Sequence, residues 1–101
     1  MTYNPIRNAL VQLSRRGWVK GYIEDAQGRV CLLGALSHCS GGIGASTIVE
    51  KVIVEQYPER YDAAVYMNHV ARFNDHPDTT LEDVVMVMEK AALRLDEQVV
   101  A

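Results

Sequence analysis

Apolar residues recur along this chain mostly at helical spacing, with a polar break every fifteen to twenty residues or so. In "NPIRNALVQLSRRG", Ile6, Leu10 and Leu13, with Ala9, make one apolar face. Asn4 is a good N-cap and Pro5 stands at the first helical position, where a missing N–H costs nothing. Gly17 is placed to end this helix. The next stretch is open to two readings. Trp18, Tyr22 and Ile23 could pair with Val30, Cys31 and Leu32 in a short hairpin about Gly28, near residues 18–31. Alternatively a buried helix begins at residue 31 or 32, since Leu32, Ala35, Leu36 and Cys39 fit helical spacing, and this reading is favoured.

"SGGIGAS" reads as a loop, after which Thr47 and Glu50 form a capping-box pattern that opens a helix holding Ile48, Val49, Val52 and Ile53. Pro58 ends it. A further helix is expected from Glu59 to Phe73, with Ala63, Tyr66, Met67, Val70 and Phe73 on one face. Thr79 or Thr80, with Glu82 or Asp83, then caps a last helix, whose residues Leu81, Val84, Val85, Met88, Ala91, Ala92 and Leu95 form a stripe about 120° wide. The expected fold is therefore mostly α: residues 1–101 as one compact domain of about five helices, with the short β-hairpin as an option.

Composition agrees with an ordinary soluble globular chain, at 49% apolar and 23% charged residues. The net charge of −3 is unevenly spread. Residues 1–30 hold five bases against two acids, and residues 31–101 hold five bases against eleven acids. Only Arg15, Arg16 and Lys20 lie close together, with Arg29 further on, so nucleic-acid binding is disfavoured. The start lacks the apolar core of a signal peptide. Val30 to Val49 is free of Asp, Glu, Lys and Arg, but its four glycines and several hydroxyl residues argue against a membrane span. Cys31 and Cys39 are eight residues apart, about 12 Å along one helix and beyond disulfide reach, which points to reduced thiols in a cytoplasmic protein.

The densest polar cluster is "FNDHPDTTLED", residues 73–83. Read as a calcium loop from Asn74, it has His76 at the third place and Thr79 at the sixth, where an oxygen ligand and a glycine are needed. No His-x-x-x-His or Cys-x-x-Cys spacing exists, so no metal and no cofactor are expected. A helix joint uses these residues as well: Asn74 past a helix end, Asp75 and Asp78 on turn N–H groups, Pro77 as a stiffener, Thr79 as a cap. Cys31 would need a base among His38, His69 and His76 to act as a nucleophile, and a packing thiol is favoured. The Gly41–Thr47 segment could hold an anion on backbone N–H groups, but it lacks the lysine of a phosphate loop, and Lys51 comes a turn too late. On the back of the last helix, Met86, Leu93 and Val100 line up opposite the main stripe, flanked by Glu82, Glu89 and Lys90. That second seam is either covered by a neighbouring segment or meets a partner.

The segments "GWVKG", "DAQGRVCLLGAL", "ARFND" and "TTLEDVVMVMEKA" also resemble a family of small proteins of actinobacteria and their phages, catalogued only as a domain of unknown function. The signature falls on Trp18, Gly21, Gly28, Cys31, Gly34, Ala35, Phe73, Asn74, Asp75, Thr80 and Val84, and many members carry Trp at the place of Phe73. The resemblance implies a bacterial or phage cytoplasmic setting and no catalytic assignment. Two functions are carried forward. The first is a non-enzymatic protein-interaction module, a phage accessory protein that binds and modulates a bacterial host protein or pairs with itself, using Met86, Leu93, Glu82, Glu89 and Lys90. The second is a small enzyme or ligand-binding protein with a site at Cys31, Asn74 and Asp75. Those last two are expected to tie the turn to the segment around Trp18 and Cys31.

Overall fold

The computed structural model describes residues 3–61 and 68–100, with 99 and 100 as backbone only. Five α-helices follow one another: α1 Pro5–Arg16, α2 Leu32–Ser37, α3 Gly42–Gln56, α4 His69–Asp75 and α5 Leu81–Val100, with a 3₁₀ turn at Pro58–Arg60. The local signals for α1 all operate. The Asn4 side chain accepts from the N–H groups of Ile6 and Arg7, Pro5 is the first helical residue, and the Gly17 N–H closes on the Leu13 carbonyl. Asn4 also reaches across the fold, donating to the Ala92 carbonyl (2.9 Å) and to Asp96 (2.9 Å), which pins the start of α1 to the last part of α5.

One core joins all five helices. Ile6, Leu36, Ile53, Phe73 and Met88, one from each helix, are fully buried in it. α5 packs on both α1 and α3. Its buried stripe is Val84, Val87, Met88, Ala91 and Ala92, wider than expected on the Val87 side. Leu81, placed in the stripe by spacing, is 43% exposed because it is the first residue of the helix.

Two expectations need correction. "SGGIGAS" is not a loop: α3 already begins at Gly42, so Thr47 lies inside the helix and caps nothing. Of the glycines there, Gly42 serves proximity. A Cβ on Gly42 would stand 2.0 Å from the Leu36 carbonyl oxygen, so only glycine lets α3 leave α2 in so tight a corner. The helix expected over Glu59–Phe73 is not continuous. Tyr61 is extended, and Asn68 is an extended N-cap accepting from the N–H groups of Val70 and Ala71, so α4 starts at His69. Ala63, Tyr66 and Met67 lie outside the described residues. Of the capping pairs open for α5, Thr80 with Asp83 is the one formed. The Asp83 N–H donates to Thr80 Oγ1 and the Thr80 N–H to Asp83 Oδ2. Thr79 is buried and accepts from Arg60.

Finally, the optional hairpin at 18–31 is reduced to two isolated bridges, both on Val30: parallel with Trp18 and antiparallel with Glu24. The ladder stops because Cys31 is already the N-cap of α2, where its thiol accepts from the Gly34 N–H at 3.3 Å.

Candidate functional site

The signature residues converge where the end of α4 meets the 17–31 loop and the start of α2. Phe73 anchors α4 in the core, against the Tyr57 ring at 5.2 Å between centroids. Asn74, one residue on, is fully buried. Its Oδ1 accepts from Trp18 Nε1 at 2.6 Å and from the Leu32 N–H at 3.0 Å. Its Nδ2 donates to the Val19 carbonyl at 3.1 Å and to Asp75 Oδ1 at 3.0 Å. A primary amide has two donors and two acceptor lone pairs, so all four positions are used. The same Asp75 oxygen accepts from the Gly21 N–H at 2.9 Å. Lys20 stands over the Trp18 ring at 5.5 Å and donates to the His76 carbonyl at 2.8 Å, a cation at the C-terminus of α4.

The expected tie between this turn and the Trp18–Cys31 segment is therefore present, through loop and helix-start atoms that sequence spacing does not reveal. Two details differ from expectation. Asn74 is helical rather than left-handed, since among the described residues only glycines have positive φ. Asp75 serves the distant Gly21 instead of its own turn, and the Asp78 N–H donates to His76 Nδ1. Gly34 is required for proximity: a Cβ there would meet the Ile23 carbonyl oxygen at 2.1 Å.

Beside this junction lies an open depression of about 300 Å³, lined by Gly21, Tyr22, Ile23, Cys31, Leu33, Asn68, Ala71 and Asp75. Cys31 and Asp75 thus share it, while Asn74 lies behind. Burial pushes the Cys31 thiol up and the nearby Asp75 carboxylate adds to this, against hydrogen bonds from Gly34 and Leu33 that pull it down. The thiol is protonated at neutral pH, the opposite of what a nucleophile needs. No histidine lines the depression. His38 Nε2 pairs with Glu24 at 2.6 Å, and His76 is engaged in its turn. His69 stacks on Tyr61 at 4.5 Å, and its Nδ1 finds no hydrogen-bond partner among the described residues. Those residues also hold no group of three His, Cys, Asp or Glu placed to bind a metal.

The other sequence candidates separate. Arg16 bonds Gln12 and lies 3.9 Å from Glu24, Arg29 pairs with Asp25 at 2.6 Å, and Lys20 is tied to α4, so these bases form no phosphate-facing stripe. Residues 42–47 are helix, so no glycine loop remains to cradle an anion. On α5, Leu93 is 56% exposed, Met86 is half-buried, and Glu82, Glu89 and Lys90 are exposed. The Val100 side chain lies outside the described residues. A shallow depression lined by Thr80, Leu81, Glu82, Val85, Met86 and Glu89 opens beside this seam. No described helix is long and apolar enough to cross a membrane.

Sequence reasoning missed Asn68 as a cap and the reach of Asn4 to α5. Asn68 carries a local capping signal; the reach of Asn4 has none. A family model described as a family of unknown function (DUF6197) matches residues 5–94. Comparison with curated proteins and with solved structures gave no match. With nearly its whole length matched by that model, the chain belongs to DUF6197, a family of unknown function.

Proposed function

We propose that this protein is a non-enzymatic interaction module whose contact surface is the outer face of α5. The observation that carries the proposal is Leu93, more than half exposed on the side of α5 turned away from the core, in line with Met86. Glu82, Glu89 and Lys90 would frame that contact. Its setting is the cytoplasm of a bacterial host, where it acts as a phage accessory protein and modulates a host protein; the signature resemblance supports this part. Affinity capture from an actinobacterial lysate tests it. A specific protein should be retained by the wild type and lost by M86E/L93E, with the circular-dichroism spectrum unchanged. If that double variant loses its native spectrum, the seam is core and the proposal fails.

A second reading, a small-ligand or catalytic site at Cys31, Asn74 and Asp75, is favoured by the depression that Cys31 and Asp75 line. It demands an accessible, reactive thiol. Cys31 left unmodified by iodoacetamide in the folded protein would end it.

A further inference from the structure

The chemistry of a partner for α5 can be taken further, on the basis of the contact reading above. At 100° per residue, Met86 and Leu93 lie within about 20° of one another. Glu82 and Glu89 run along one edge of that line, and Lys90 and Glu97 along the other. Three of these four charges are acidic. The nearest arginines are already spent: Arg94 pairs with Glu55, and Arg7 with Asp96.

This arrangement disfavours a second copy. Antiparallel two-fold pairing sets each edge against its own counterpart, so Lys90 would meet Glu97 on one edge, but on the other Glu82 and Glu89 would meet Glu82 and Glu89 with no cation between them. Parallel pairing brings Glu89 to Lys90 but leaves Glu82 and Glu97 without a cation. Like charges opposed in this way cost affinity rather than add it. A phosphate backbone or an anionic lipid surface is repelled for the same reason. What complements an apolar line edged with carboxylates is an apolar line edged with ammonium or guanidinium groups. The depression at Leu81, Val85 and Met86 offers a seat for one large apolar side chain.

We infer that the outer face of α5 binds a cationic amphipathic helix of a partner protein. The probe is a synthetic helical peptide with leucines on one face and lysines along both edges, compared with the same peptide carrying glutamate for lysine. Fluorescence anisotropy against the full chain should show saturable binding of the lysine peptide, weakened by salt, and none of the glutamate peptide. E82Q/E89Q should weaken it about fivefold, as two exposed ion pairs would. M86S/L93S should weaken it at least about tenfold. E59Q/D78N, which removes two charges elsewhere, should leave it unchanged.

Equal binding of both peptides, or equal losses in E82Q/E89Q and E59Q/D78N, overturns the inference. If the lysine peptide does not bind but M86E/L93E still releases a captured protein, the contact reading stands and this partner chemistry falls. If neither responds to the seam, both fall.

Discussion

The end of α4 and the outer face of α5 are near neighbours in the chain, yet they treat their side chains in opposite ways. At the α4 junction the polar side chains are spent on bonds within the fold, with Asn74 fully buried and Asp75 at the surface. Asn74 spends all four hydrogen-bonding positions on Trp18, Val19, Leu32 and Asp75, and Asp75 takes the Gly21 N–H as well. On α5, Leu93 and the carboxylates beside it face outward. The more conspicuous cluster is thus the more fully satisfied one, and a group whose bonds are all made within the fold has little left to offer a ligand. The difference teaches where to look for function: at what the fold leaves unspent.

That contrast can be broken most directly at Asn74. Asn74→Ala strands the Trp18 and Leu32 N–H groups and the Val19 carbonyl, and should cost about 3 kcal/mol. Urea unfolding measures it, and a loss under about 1 kcal/mol would mean that the junction does not hold the loop. Next comes Gly34→Ala, whose methyl must displace the Ile23 carbonyl. A cost of about 2 kcal/mol is expected, read as a lowered urea midpoint at unchanged slope.

Asp83 stands between the two regions and gives a pH test. Burial alone would raise its pKa. The Thr80 N–H, Arg60 (3.0 Å) and the Tyr57 hydroxyl (3.1 Å) more than offset that, so its carboxyl lies below the ordinary value of 3.8. A lowered folded pKa means that its contribution is fully present above the unfolded value and is lost as pH falls through the folded one. Asp83→Asn should therefore cost about 1 kcal/mol at pH 7, and its deficit against wild type should vanish in strong acid. A deficit independent of pH would sink the assignment. The smallest effect sharpens the comparison from the other side. M86S/L93S should cost less than about 1 kcal/mol, since Leu93 is exposed and Met86 only half-buried, and part of that cost is the poorer helix propensity of serine. A larger loss in thermal unfolding would place the seam in the core.

Legibility followed the range of the interactions. α1 could be drawn from residues 4–17 because its cap, its first-turn proline and its terminating glycine act within a turn of the helix. α5 was equally plain from its long apolar stripe. The cap of α5 stayed open between two adjacent threonines that offer the same local chemistry, and the part-buried bond from Arg60 claims Thr79 and leaves Thr80 to the helix. "SGGIGAS" misled because glycine signals flexibility in a string of letters, whereas Gly42 answers a carbonyl six residues earlier. Asn74 and Asp75 stood out as more polar than a turn requires, but their partners lie up to 56 residues away.

A mostly helical fold, its first and last helices, and the pair of residues that bind a turn to the 17–31 loop were all written in the order of the residues. Periodicity and capping are local, and a buried amide must find partners somewhere in any fold. Which atoms those partners are, that Cys31 is a buried cap in a depression lined by no histidine, and that Leu93 stays uncovered came from the packing alone. Each of these depends on which surfaces meet, and that is settled by how five helices share one core.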